Sequence, residues 1–524
     1  MSSSSESESE ASYASSDSSS SVDVITQRLA QASLSEQTVE AHLELLRSDL
    51  ADEDAEELAA APIFTAPVLE YGASLDTKSQ EAPFTQYGLL GATKDNRFKN
   101  ADDAMSAGKD PRLFYNTVVP SSVFICGSQG SGKSHTLCCL LENCLTPSGA
   151  NVLPRPLTGI AAYLSSAKNI SVRVLCPPTN IGQIKRIYKG LPGVTVEELR
   201  INQSDLNTRR MLDLMAVGPA SGNVPLYVHV VTRILRDLRI EQQSNGTTFN
   251  YRGFKLRLMN ETLTPAQLGP LQQRLDTLES FMVKEQVVLA THSTPIKGVG
   301  KPGCGNDWTP KAGQLTIVDL SCPCVTAETA CSLFNICLSL FLEQNSKIGR
   351  VVALDEAHKY MTDTTECQTL TEALLSNIRL QRHLGMRVVI STQEPTISPK
   401  HLAGASILAQ AQQAGDDSQS VNGVLKMTPE ELTAQLFSKI VDLRRGEALL
   451  FAPSAIIGVH RQEVKAEEKP VPSGHSPSDS TSSAEGSISK AGGRAQLIKL
   501  GHGVLNIRVR KRVTRDGGRS IMAA

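Results

Sequence analysis

Aromatic side chains are scarce in this sequence of 524 residues: they make up 4%, with a single tryptophan, Trp308. Stacking platforms for single-stranded nucleic acid are therefore not advertised. No run of about 18 or more apolar residues occurs, so no membrane-spanning helix and no membrane partner are expected. The opening Met-Ser-Ser-Ser-Ser-Glu forms no apolar leader, which predicts a soluble, intracellular protein of nucleus or cytoplasm. Eleven cysteines include no Cys-x-x-Cys pair. Cys138-Cys139, Cys322-x-Cys324, Cys331 and Cys337 lie in apolar surroundings, which reads as buried reduced thiols with no disulfide-linked partner; a metal site is the alternative. Net charge is small, −2, but unevenly spread: residues 1–60 are acidic and residues 490–519 basic.

What is present is organised around Gly127-Ser128-Gln129-Gly130-Ser131-Gly132-Lys133-Ser134. An apolar run, Ser122 to Cys126, precedes it and Thr136 to Leu141 follows, predicting strand, glycine loop and helix start. Glycines let successive N–H groups turn onto an anion, and the helix N-terminus adds unpaired donors and partial positive charge. In such a loop Lys133 reaches the β- and γ-phosphates of a nucleotide and the Ser134 hydroxyl ligates Mg2+. ATP and Mg2+ are accordingly the expected cofactors. The chain has no Asn-Lys-x-Asp for guanine and no Leu-Ser-Gly-Gly-Gln signature, which argues against a GTPase and a transporter ATPase.

The chain divides by composition. Residues 1–60 are predicted to be an acidic, serine-rich disordered region, with Val39, Leu43, Leu46 and Leu50 spaced for one amphipathic helix. Residues 61–115 read as an irregular lead-in, 116–463 as the phosphate-loop domain, and 464–524 as a disordered linker and basic tail. The basic cluster Arg508 to Arg515 is either a solubilising tail or a nucleic-acid contact or nuclear signal. Arg233, Arg236 and Arg239 lie at helical spacing opposite an apolar stripe: a solvated face or a phosphate contact. Tyr251 to Met259 alternates apolar and polar residues and predicts a half-exposed strand.

A second motif, Val351-Val-Ala-Leu-Asp-Glu-Ala-His358, is an apolar strand ending in two acids. A buried parallel strand presents such carboxylates at its ligand edge. Asp355 is expected to serve the metal together with Ser134, and Glu356 to polarise the attacking water. Glu366 to Leu384 predicts a helix capped by Gly385. Arg387 to Gln393 is another buried strand, whose Gln393 falls beside that edge to sense the γ-phosphate or the water; a polar strand cap is the plainer alternative. Asp355-Glu-Ala-His358 also spells the helicases named for those letters, but the Ser-Ala-Thr strand and late Gln-Arg-x-Gly-Arg motif they need are lacking.

Strand–loop–helix, strand–Asp-Glu and strand–Ser-Thr-Gln match the additional-strand class of phosphate-loop ATPases. The sequence resembles the HerA/FtsK family, and more closely its fungal HerA-like members, through Phe124 to His135, Leu354 to Tyr360, Ile390 to Pro395 and Gly446 to Phe451. The resemblance, over about Asn116 to His460, implies an α/β, RecA-like core with a central, mostly parallel sheet flanked by helices and disordered tails at both ends. It carries His135 with the loop as a nucleotide contact. It implies ring assembly, often hexameric, and movement of DNA or protein–DNA complexes. It also points to Arg382, which shares a predicted helix face with Arg379, as an arginine acting on a neighbour's nucleotide. Where the family has an apolar strand and a helix after Pro399, Ala403 to Asp417 is polar and weakly patterned. The expected function is an oligomeric, Mg-dependent ATPase acting on DNA; the alternative is a nucleotide-binding regulatory or scaffold protein with little turnover.

Overall fold

The computed structural model describes residues 39, 50–75, 82–94, 110–162, 171–214, 226–287, 305–344, 347–361, 364–393, 406–410, 438–461 and 495–514. Among these, the strands are β1 (Ile63–Thr65), β2 (Tyr87–Thr93), β3 (Arg112–Asn116), β4 (Ser122–Cys126), β5 (Asn151–Val152), β6 (Thr158–Ala162), β7 (Ser171–Cys176) and β8 (Val194–Glu198). They continue with β9 (Gln314–Val318), β10 (Arg350–Leu354), β11 (Met386–Thr392), β12 (Ser406–Gln410), β13 (Glu447–Phe451), β14 (Ile456–Arg461), β15 (Ala495–Lys499) and β16 (Leu505–Val509). All join one sheet in the order β15-β14-β1-β3-β2-β16-β13-β12-β4-β11-β10-β6-β9-β7-β8, with β5 paired on β2.

From β12 to β8 every neighbouring pair is parallel. The strand that leads into the Gly127–Ser134 loop, β4, and the strand that leads into Asp355, β10, are separated by one inserted strand, β11. Parallel strands covered on both faces read as continuous apolar runs, and β4, β10 and β11 are buried along their whole length. The alternation within each strand divides its side chains between two layers. Val123, Ile125, Val351, Ala353 and Val389 pack with Leu137, Leu140 and Leu141 of the helix Lys133–Leu145. Phe124, Cys126, Val352, Leu354, Val388 and Ile390 pack with Leu333, Ile336 and Leu340 of the helix Ala327–Glu343, and with Leu370 and Leu374 of the helix Thr365–Arg379. The result is an α/β fold in three layers, with the sheet in the middle.

Four expectations need correction. The stretch assigned as an irregular lead-in contributes β1, β2 and β3, closed by antiparallel pairing and by the stacked Phe64 and Phe84 rings. The segment assigned as linker and basic tail, in which Gln496 to Ile507 reads as one short strand, contributes two, β15 and β16; β16 pairs with both β13 and β2, and so joins this segment to the sheet. Tyr251–Met259 is a helix, not a strand: Asn250 accepts a hydrogen bond from Gly253 N, and Tyr251, Phe254 and Leu258 fall on one buried face. The helix Thr365–Arg379 stops at Leu380 before a short piece, Gln381–Leu384, so Arg379 and Arg382 do not share one helix face; Gly385 does cap the second piece.

The remaining segments are placed as follows. The helix Leu50–Ala60 buries Leu58, but most of residues 1–49, the linker 462–494 and the tip 515–524 lie outside the described residues. Arg233, Arg236 and Arg239 are exposed on the helix Leu226–Asn245, opposite the buried Val231, Ile234, Leu235 and Leu238. Cys138, Cys139, Cys322, Cys331 and Cys337 are buried free thiols, and burial pushes those of Cys138 and Cys139 up to about 12; Cys324, expected to be buried with them, is exposed just before the helix Ala327–Glu343. Among the described residues no group of three or more His, Cys, Asp or Glu could hold a metal by itself, and no helix is long and apolar enough to cross a membrane.

Candidate functional site

β4 ends at Cys126 and the chain turns through the glycine loop into the helix Lys133–Leu145. Gly130 (φ +81) and Gly132 (φ +112) occupy backbone conformations that a side chain would strain, so the loop's glycine spacing is a conformational requirement. Thr136 N donates to Gly132 O at 3.0 Å, making it the first amide engaged in the helix ladder. The amides of Lys133, Ser134 and His135 precede it and have no intrahelical acceptor, which is the donor set an anion needs. Ser134 is exposed at this helix start. Lys133 is 4% exposed and its Nζ donates to Ser128 O at 2.9 Å, folding the ammonium across its own loop. Burial pulls Lys133 below the ordinary lysine range, while the charges of Glu356 and Asp355 act in the opposite direction.

Register explains the convergence. Leu354 of β10 pairs with Ile390 of β11, and Thr392 of β11 pairs with Cys126 of β4. Asp355, Gln393 and Gly127 therefore leave the sheet at one edge, the carboxyl ends of its parallel strands. Asp355 is 5% exposed, and its Oδ1 accepts from Glu356 N at 3.1 Å. Glu356 is the sole non-glycine among the described residues with positive φ (+53), a conformation that costs a residue with a side chain about 1–2 kcal/mol. Its side chain is held there by a polar set: Gln393 Nε2 donates to Glu356 Oε2 at 2.8 Å, with His358 Nε2 at 3.5 Å and Lys359 Nζ at 3.8 Å.

The other predicted residues are placed differently. The His135 ring turns away to the C-terminal segment, with Nε2 2.9 Å from Arg510 O, leaving its backbone amide as its possible contribution to an anion. Arg382 is exposed on the short helix Gln381–Leu384, just before β11 begins at Met386. It lies at the opposite edge of the sheet, about 20 Å from Gln393 by the rise of the intervening strand. This arginine cannot reach its own chain's loop. It lines an open hollow with Lys347, Arg350 and His383, and Ser122 Oγ donates to Gln381 Oε1 at 2.8 Å, fixing the short helix beneath β4.

Three contributors were not picked out in the sequence. The polar stretch after Pro399 supplies β12, which runs beside β4 with Ala409 paired to Cys126. Its last residue, Gln410, is fully buried behind the loop and donates through Nε2 to Thr136 Oγ1 at 2.6 Å. The available signal was Ser406-Ile-Leu-Ala-Gln410, an apolar run ending in glutamine as β11 does. Arg445, one residue before the quoted Gly446-Glu-Ala motif, approaches the loop at Gly130. Arg510, from the supposed tail, contacts the helix that the loop begins. Nothing local announces it.

No protein-family model and no curated protein matches this chain. Among solved structures, that of VirB4 of Thermoanaerobacter pseudethanolicus is similar, at 13% identity, over 70% of this chain and 93% of that one, with a TM-score of 0.37. A likeness that distant carries no argument about function, so the site is read from its own residues.

Proposed function

We propose that this chain binds Mg-ATP in the Gly127–Ser134 loop and hydrolyses it, as an oligomeric motor acting on DNA. The observation that carries this reading is the Gln393–Glu356 hydrogen bond of 2.8 Å at the sheet edge where the phosphate loop emerges. It couples the candidate water-orienting carboxylate to the candidate phosphate sensor. Lys133 and the free amides at the helix start would take the β- and γ-phosphates. Glu356 would orient the attacking water, and Gln393 would hold that carboxylate according to whether a γ-phosphate is present.

The donor set fits magnesium. Mg2+ takes few protein ligands and hard oxygens, and the Ser134 hydroxyl and Asp355 carboxylate are of that kind. When bound, the ion would neutralise charge developing on the phosphates. Arg382, remote from its own loop, would serve a neighbouring subunit's nucleotide, which requires a ring or another closed assembly. Movement of DNA rests on the family resemblance alone.

A second reading is favoured by one feature. Glu356 is already engaged by Gln393, with His358 and Lys359 beside it, which suits a nucleotide-binding regulator with slow turnover. Steady-state ATPase measured on size-fractionated protein, with and without duplex DNA, separates the readings. Turnover that DNA stimulates, with a steep loss on added salt, supports the motor. Tight Mg-ATP binding with no turnover under either condition selects the regulator.

A further inference from the structure

The turn that starts β13 is rigid. Glu447 N donates to Arg444 O at 2.9 Å, and Arg444 N donates back to Glu447 Oε2 at 3.0 Å. The Glu447 side chain is buried and also accepts Lys94 Nζ at 2.9 Å. Gly446, third in the turn, has φ +83, a position that glycine suits. β13 is further fixed by pairing with β12, where Ala448 opposes Gln410.

This turn lies against the phosphate loop. Gly446 N is 3.8 Å from where a Cβ on Gly132 would stand, and Gln410 Oε1 is equally near. Around Gly130, and apart from its chain neighbours, the one heavy atom among the described residues within 4 Å of such a Cβ is Arg445 Nη2, at 4.0 Å. Arg445 is exposed, and among the described residues it makes no hydrogen bond or ion pair. Its immediate partner by position is the loop itself. That loop carries an unsatisfied donor as well: Ser131 is 4% exposed and its Oγ has no partner among the described residues. A guanidinium carried by a braced turn beside the glycine loop, with a buried hydroxyl of that loop unspent, is an arrangement that a polyphosphate completes.

We infer that Arg445 is a second phosphate-binding cation, supplied to the nucleotide by the same chain that supplies Lys133. The inference rests on the reading of the loop as a nucleotide site and adds an in-chain arginine to it, independent of any contribution from a neighbour's Arg382. Lys133 approaches the phosphates from within the loop as a point charge. Arg445 approaches over Gly130 with a forked donor.

The test is a titration of Mg-ATP into wild-type protein, Arg445→Ala, Arg445→Gln, Arg445→Lys and Lys133→Ala, together with thermal unfolding without nucleotide. A charge-assisted contact of this kind predicts a loss of about tenfold to a hundredfold in affinity for the Ala and Gln variants. The Lys variant, which keeps the charge, should lose less than either. Unfolding temperatures without nucleotide should match wild type, because the side chain is exposed and unpaired; the nucleotide-induced rise in unfolding temperature should shrink. Wild-type affinity in Arg445→Ala and Arg445→Gln, with binding lost in Lys133→Ala, overturns the inference and leaves the loop assignment standing. Absence of Mg-ATP binding in the wild-type protein overturns both.

Discussion

Arg510 Nη1 and Glu142 Oε2 lie 2.8 Å apart in a fully buried ion pair that joins the C-terminal segment to the helix of the phosphate loop. Glu142 also accepts from Val513 N at 3.0 Å, Thr514 N at 2.9 Å and the Thr514 hydroxyl. Arg510 spends its remaining donors on Asn143 Oδ1, Cys139 O, Leu89 O and Lys511 O. Every charge here has a partner, the condition under which burying it is tolerable.

Glu142→Gln should therefore destabilise the protein markedly, by about 3–5 kcal/mol, because it leaves Arg510 charged and buried without a counter-charge. Burial alone would raise the Glu142 pKa, but hydrogen bonds from Thr514, Val513 and Arg510 hold it below its ordinary value of 4.5. Its contribution is thus complete above about pH 4.5 and is lost as pH falls through the lower folded-state value. Urea unfolding of wild type and Glu142→Gln at neutral pH and across the acid range checks both statements: the gap between the two proteins should narrow only below that pH. A gap that stays constant, or one near zero at pH 7, would show that the pair is not the anchor of the segment.

Lys133→Ala should abolish measurable ATP binding and leave the fold intact. Among the described residues its ammonium forms no ion pair and its one hydrogen bond is to Ser128 O, so its loss breaks little that holds the fold. Calorimetric titration with Mg-ATP, alongside circular dichroism, reads both halves. Unchanged affinity would remove the loop from the nucleotide site.

Glu356→Gln should bind Mg-ATP and turn it over at least about a hundredfold more slowly, the usual contribution of a positioned general base. The amide keeps the shape of the carboxylate and can still meet Gln393. Single-turnover hydrolysis with radiolabelled ATP separates binding from chemistry. Undiminished turnover would mean that another group orients the water.

Arg382→Ala should be inactive alone yet regain part of its activity when mixed with inactive Lys133→Ala. Mixed assemblies contain some interfaces with an intact loop and an intact neighbouring arginine. The sheet places Arg382 about 20 Å from its own loop, so rescue is the sole route by which it could matter to hydrolysis. Mixed oligomers that stay inactive, or full activity in Arg382→Ala alone, would leave this residue as part of a solvated basic surface.

Much of the candidate site was legible in the residue order. A glycine loop of this kind is a local object: its glycines, its lysine and the flanking apolar runs sit within one strand, turn and helix start, so the strand–loop–helix around Gly127 to Ser134 could be read without knowing the fold. The same holds for Asp355 and Glu356, which merely end an apolar run, and for Gln393, because a polar residue closing a buried strand has one edge to go to. Gly385 as a helix cap is likewise a short-range consequence of backbone geometry.

Only the tertiary structure decided the rest, because the interactions concerned span long stretches of chain and carry no local signature. Gln410 reaches Thr136 through β12, a strand that exists because β4 and β13 offer partners on its two sides. Tyr251–Met259 became a helix because three buried side chains at helical spacing outweigh an alternation of polar residues. Arg508 to Arg515, strongly basic and read as a tail, is anchored within its described part by a carboxylate on the helix Lys133–Leu145, more than 360 positions away. A positive run looks solvated in sequence because its counter-charge is invisible there. Folding brings Glu142 to Arg510, and the cost of leaving either one unpaired in the interior holds the segment after β16 against the last turns of the helix Lys133–Leu145.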